Sequence, residues 1–363
     1  MVAVLLPLTT RVLVHDAQDR LLARARATPL LAGAKGSRFD LVMSGLYFRR
    51  VELETLTLGD FRQLSESGLA EAIPLNSRFT ARGVPLVLTS IDYFRVRGLV
   101  VDEGRLPVRI GEAVLGARAA QSLGLNVGDF LFSDQRELYD ISKPPALKMK
   151  IAGVLLPSGT PDDEVVFSDI ATGWVLEGLA HGHADAAAKV PDALVLNRSE
   201  AGVVLSEELV DYNEFTPTNV ASFHVHAAGD ALPITAVVLM PRTQKEMSIL
   251  KARVNSGDDA QIVVPEEAVG EMMKYVARIR GLLDALSVLI LAFTGVLLAL
   301  VTALSIRVRA REIETLERIG ASRSTIAAIF AWEIGFILLT GSVLAVCGAG
   351  VLMLHPPDLV KLL

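Results

Sequence analysis

Polar and hydrophobic positions divide this chain into two unequal parts. Up to about residue 280 they are mixed, in short apolar runs broken by Pro and Gly. Beyond residue 281 the apolar positions merge. Residues 285–306 form a stretch of about 22 residues without a charge, long enough to cross a bilayer. Residues 326–354 form a second apolar stretch, with Glu333 as its single charge. The segment between them has a helical pattern. Ile313 and Leu316 lie three apart on one apolar edge, which Gly320 continues a turn later. Glu314 and Arg318 lie four apart, in the order that favours an ion pair on a helix surface. Gly320 is placed to end this helix, and Ser322 or Ser324 to cap the next. Residues 1–8 are apolar but too short to span, and they read as the stub of a first transmembrane helix.

Residues 86–90 read as a strand, and 117–125 as a helix closed by Gly124. Residues 147–155 begin with the alternation of a half-buried strand. Lys143-Pro144-Pro145 and residues 156–163 read as loops. Residues 244–253 and 265–279 are compatible with helices leading towards the first apolar stretch. The expected fold is an α+β extracytoplasmic domain of two lobes, with boundaries near 140–150 and 230, plus an α-helical transmembrane hairpin.

Composition sharpens this picture. The 363 residues are 51% hydrophobic with a mean hydropathy of +0.44, and the excess lies in the C-terminal part. The net charge of −6, with no basic stripe interleaved with aromatics, excludes nucleic acid as a partner. The single cysteine, Cys347, excludes an intrachain disulfide framework. Arg307, Arg309, Arg311, Arg318 and Arg323 cluster between the apolar stretches, against Lys274, Arg278 and Arg280 ahead of them. Short loops rich in Arg stay in the cytoplasm, so the hairpin is expected inside and the large domain outside. Glu333 is a functional candidate as an intramembrane carboxylate, able to pair with the hairpin arginines.

Candidate chemistry elsewhere is sparse. His181 and His183, with Asp162 and Asp185 as helpers, and the pair His224 and His226 are weak metal candidates. No third ligand is fixed by spacing, and surface histidines are the plainer reading. Gly33-Ala34-Lys35-Gly36-Ser37 lacks the full spacing of a phosphate loop and reads as an ordinary loop. Asp162-Asp163-Glu164 reads as a solvated acidic loop. No nucleophile-elbow or zinc-protease motif occurs, so the chain is not expected to be an enzyme or to carry a cofactor of its own.

The run from Arg311 to Arg323, with Glu333 after an apolar stretch, resembles the signature of FtsX-like permeases. These are the membrane subunits of MacB- and Lol-type ATP-binding-cassette transporters, whose pattern is R-R-x-E-I-x-x-L-R-x-[IL]-G-A-[ST]. Residues 112–129, with Gly116, Leu125 and Gly128-Asp129, are similar to an element of the MacB-like periplasmic core. Residues 30–42, 157–163 and 174–178 resemble subgroup markers. The resemblance implies a partial first helix in 1–20, a periplasmic core in 21–280 and a transmembrane domain in 281–363. That last domain would hold spans at about 285–306 and 326–354, a cytoplasmic coupling hairpin at 307–325 and no fourth span. It also implies mechanotransmission. A cytoplasmic ATPase subunit, which binds the ATP, would grip Arg311, Glu312, Ile313, Leu316, Arg318, Gly320 and Ala321, with Glu333 on the following helix. Further implied partners are a second permease subunit in a homo- or heterodimer, a periplasmic adaptor or substrate protein, and membrane lipid. The implied setting is a bacterial inner membrane, crossed more than once, and the implied cargo a lipoprotein, peptide or lipid. Two alternatives remain: an FtsX-like regulator of a cell-wall hydrolase, and a membrane-anchored metal-binding module.

Overall fold

Strict alternation along residues 146–155 places one strand in a large sheet. Leu147, Met149, Ile151 and Leu155 are buried, while Lys148 and Lys150 face outward. A period of two is what a strand with one face in a core requires. A computed structural model describes residues 18–134, 146–182, 195–199, 202–205, 212–214, 223–225 and 229–354. The expected helix stub at 1–8 and the loop at Lys143-Pro144-Pro145 lie outside these residues. The chain divides into two units, Ala23–Val269 and Gly270–Leu363 with Met1–Leu22.

The first unit is built on an eleven-stranded mixed sheet. Its order is Tyr212–Glu214, Ala146–Leu155, Glu112–Leu115, Val166–Asp169, Val84–Thr89, Ala70–Ala81, Ala236–Pro241, Leu30–Ala34 and Ala260–Val263. Val101–Gly104 and Phe130–Phe132 also pair with Ala146–Leu155. Leu30–Ala34 lies between two antiparallel neighbours, and its first four residues are buried. The sheet confirms the strand and helix expected at 86–90 and 117–125. Helix Ala117–Leu123 ends where Gly124 takes the left-handed conformation at φ 64°, which glycine adopts without steric cost.

The two expected lobes take the form of two apolar clusters along this one sheet. One joins Leu86, Leu115, Leu131, Met149 and Ile151 with Val175. The other joins Leu30, Ile234, Val237, Leu250 and Ile262. Ile170 packs against both. The second cluster draws on both ends of the unit's sequence. The boundaries expected near 140–150 and 230 therefore do not divide the sheet, because its strands pair across them. Helices Leu58–Glu66 and Gln244–Asn255 begin with reciprocal capping boxes, Thr57 with Asp60 and Thr243 with Glu246. Each box satisfies two backbone donors that would otherwise lack partners.

The described residues of the second unit are mostly helical. Helix Pro265–Val308 is unbroken over 44 residues, about 66 Å at 1.5 Å per residue. The helix expected at 265–279 and the first expected span are thus one element. Arg278, Arg280 and Asp284 do not interrupt it, because an i,i+4 pair of Arg280 with Asp284 at 3.8 Å suits a helix. Helix Ala310–Arg318 and helix Arg323–Leu354 follow. Two helices, Pro265–Val308 and Arg323–Gly348 within the last, are long and apolar enough to cross a membrane. Their large apolar side chains, such as Phe293, Leu300, Phe336 and Leu344, are exposed.

Candidate functional site

The charged hairpin is built by three consecutive residues that stop one helix and start another. Gly320 has φ 92°. Its N–H donates to the Glu317 carbonyl at 3.1 Å, and the Ala321 N–H donates to the Leu316 carbonyl at 3.0 Å. These two bonds form a Schellman motif, which satisfies the last carbonyls of helix Ala310–Arg318. Ser322 then caps helix Arg323–Leu354, its Oγ accepting from the Thr325 N–H at 3.2 Å. Ser322 takes the capping role, and Ser324 hydrogen-bonds to it at 2.6 Å.

No residue of helix Ala310–Arg318 is buried. Ile313 and Leu316 are half-buried, Ala321 likewise, and Arg311, Glu312, Arg318 and Gly320 are exposed. Glu314 and Arg318 form the expected ion pair at 2.6 Å. Sequence reasoning missed Ile319, which is 74% exposed next to the apolar edge. Its spacing of three from Leu316 was the available signal. Glu333 pairs with Arg309 at 3.3 Å. Both side chains are partly exposed, so the pair adds at most about 1 kcal/mol to stability. Its effect is to tie the carboxylate on the second span back to the turn that opens the hairpin. Ala310 and Glu317 stand where the typical pattern has arginines.

The α/β unit hides a charged cluster that the sequence did not announce. Asp162 and Asp163 are buried, at 1% and 3% exposure, which overturns their reading as a solvated loop. Arg24 and Asp162 form a bidentate ion pair, with Arg24 Nη2 donating to Asp162 Oδ1 at 2.9 Å. Arg24 also donates to the Leu46 carbonyl at 3.1 Å and to Tyr93 Oη at 2.9 Å. The Tyr93 hydroxyl donates to Asp162 Oδ1 at 2.7 Å. Burial alone would raise the Asp162 pKa, but the Arg24 charge and these donors hold it below the usual carboxylate range. Asp163 accepts from the Ser158 and Gly159 backbone N–H groups, each at 2.8 Å, and so closes its own loop. Arg97 adds a second guanidinium, whose carbon lies 5.6 Å from the Tyr93 ring centroid. It donates to Thr28 Oγ1 at 2.9 Å. Burial pushes the Arg97 pKa down.

This loop explains Gly116. A Cβ there would lie inside van der Waals contact of the Asp162 and Asp163 carbonyl oxygens. Those oxygens belong to backbone and cannot step aside. Gly116→Ala is therefore expected to cost about 1–3 kcal/mol. Thermal unfolding of the variant checks this, and an unchanged Tm would contradict the packing described.

Asp162 is committed to Arg24, which removes it as a metal helper. His181 and His224 occupy directly opposite positions on the paired strands Ala180–Gly182 and Phe223–Val225. His183, His226 and Asp185 lie outside the described residues. Among the described residues, no three His, Cys, Asp or Glu side chains gather, whereas a structural zinc takes four ligands.

Residues 285–354 match the family model described as FtsX-like permease C-terminal. The C-terminal segment is FtsX-like. The FtsX-like match contains both apolar stretches, 285–306 and 326–354, and the whole hairpin, so the resemblance carried by Arg311–Arg323 and Glu333 stands on the segment that bears it. No curated protein matches the chain. Among solved structures, the periplasmic region of MacB from Actinobacillus actinomycetemcomitans is 12% identical, with a TM-score of 0.39. That alignment covers 70% of this chain and 97% of that one. The extracellular domain of the transporter YknZ from Gram-positive bacteria is 11% identical, with a TM-score of 0.36, covering 65% and 99%. A permease-protein domain from Porphyromonas gingivalis is 11% identical, with a TM-score of 0.28, covering 64% and 85%.

Proposed function

We propose that this chain is the membrane-spanning permease subunit of an ATP-binding-cassette transporter that works by mechanotransmission. Helix Ala310–Arg318 docks on a cytoplasmic ATPase subunit through Ile313, Leu316 and Ile319. Arg311, Glu312 and Arg318 form the charged rim of that contact. ATP-driven closure of the partner moves the two apolar helices, and the α/β unit on the other side of the membrane responds. The cargo is a lipoprotein, peptide or lipid handled outside the cytoplasm. A second permease subunit completes the pair that an ATPase dimer requires.

The observation that supports this reading best is the hairpin within the FtsX-like segment. Its ends are fixed by Gly320, Ala321 and Ser322, while its apolar edge is left partly exposed. An amphipathic helix of this kind suits insertion into a groove on a partner. The test is co-purification, in mild detergent, of an ATP-binding-cassette ATPase expressed with the full chain. A stoichiometric complex supports the reading. A chain that emerges alone, correctly folded, overturns it.

A further inference from the structure

Strands Ala180–Gly182 and Phe223–Val225 form an antiparallel ribbon of their own, separate from the eleven-stranded sheet. Each strand is three residues long. Ala180 pairs with Val225, His181 with His224 and Gly182 with Phe223. A two-stranded ribbon in water is marginally stable at best, so it gains from any support beyond its own ladder. The two strands lie more than 40 positions apart in sequence, and a link between them would close a long loop. Clips across long loops offset the largest closure entropy.

The central register position of this ribbon is a histidine pair. Directly opposed residues of an antiparallel pair share a face, with Cβ atoms about 4.5–5.5 Å apart. A slip of one residue would move the two to opposite faces, so this register is what brings them together. Four of the six histidines fall in the runs 181–183 and 224–226, and the ribbon sets one member of each run opposite the other. Imidazole nitrogens ligate zinc at about 2.0–2.1 Å. Imidazoles carried on Cβ atoms at that separation are within reach of one shared ion. The residue type then selects the metal class. Imidazole suits zinc, copper and nickel, whereas magnesium and calcium take oxygen ligands.

We infer that His181 and His224 together bind one divalent transition-metal ion of the zinc class, as a clip across the ribbon. Two protein ligands fall short of the four that a structural zinc takes. Water or an incoming donor completes the coordination, and the ion exchanges with solvent. The clip is therefore a binding site and not a folding requirement. It lies within the α/β unit and needs no ATPase partner, so its failure would leave the coupling hairpin untouched.

Calorimetric titration of the untagged full chain in a neutral detergent tests the inference, with Zn2+ as the probe and Mg2+ as the oxygen-seeking control. One equivalent of Zn2+ is expected to bind with a Kd below about 100 μM. Excess Mg2+ should not displace it. His181→Ala and His224→Ala should each weaken binding by about tenfold or more, and the double variant little further, because either loss opens the chelate. His224→Gln provides a second variant should His224→Ala fail to fold. A chain carrying His183→Ala with His226→Ala is the control for the neighbouring histidines. The inference is overturned if Zn2+ does not bind saturably below about 1 mM, or if Mg2+ displaces it. It is overturned equally if His181→Ala and His224→Ala bind as tightly as the original chain, or if only the His183→Ala/His226→Ala chain loses binding.

Discussion

Asp162→Ala is expected to lower the melting temperature of the α/β unit by roughly 6–20 °C. The substitution leaves Arg24 buried without its counter-charge. Breaking a buried pair from one side costs about 3–5 kcal/mol, and each kcal/mol is worth about 2–4 °C in a unit of this size. Arg24 is 7% exposed, and its remaining donors go to the Leu46 carbonyl and the Tyr93 hydroxyl rather than to a second carboxylate. Fluorescence of Trp174 during heating, in a Trp332→Phe background, reads the transition in the full chain. A loss of less than 2 °C would contradict the buried pair. The same pair sets a pH dependence. The folded pKa of Asp162 is depressed, so its contribution is complete above the unfolded value of about 3.9 and is lost as pH falls through the lower folded value. Stability should therefore drop below about pH 4, and Asp162→Asn should flatten that limb.

Leu316→Asp is expected to abolish co-purification of the ATPase while leaving the chain in the membrane. Leu316 lies at the centre of the partly exposed edge, between Ile313 and Ile319. Burying a leucine is worth about 1.5–3 kcal/mol, and an aspartate in the same groove adds a desolvation penalty. Together these exceed about 2.7 kcal/mol, a hundredfold in affinity. The Schellman motif uses the Leu316 carbonyl and not its side chain, so the hairpin itself survives. Arg318→Ala removes one charge of the rim together with its exposed ion pair to Glu314, and, as exposed rim charges do, it should weaken the complex far less. An ATPase that binds the Leu316→Asp chain as tightly as the original would remove this helix from the contact.

Local rules made the hairpin legible. Gly320 stands one residue past the helix C-cap and Ser322 just before the next helix, and both follow from backbone needs that recur wherever helices end and begin. The strand at 146–155 was legible for a similar reason, since alternation alone carries it. The sheet order was not. Leu30–Ala34 pairs with strands more than 200 residues away, and no local pattern encodes that. Asp162 shows the same limit. It sits in a run of acidic residues between Pro161 and Glu164, where solvent is the default reading. Its partner Arg24 lies 138 positions earlier, and only the folded unit brings the two together. The helix-compatible segment at 265–279 and the apolar stretch at 285–306 prove to be one helix. Once Arg280 and Asp284 pair along the helix surface they are compatible with its continuation.

The central claim is that the hairpin and the α/β unit lie on opposite sides of a membrane, with the hairpin in the cytosol. Single cysteines at Ser65, exposed in the α/β unit, and at Ser322, exposed in the hairpin, test it in a Cys347→Ser background. A membrane-impermeant maleimide applied to intact spheroplasts should label the Ser65→Cys chain at once. It should reach the Ser322→Cys chain only after the membrane is permeabilised. Labelling of both sites from outside, or of Ser322→Cys alone, would contradict the account.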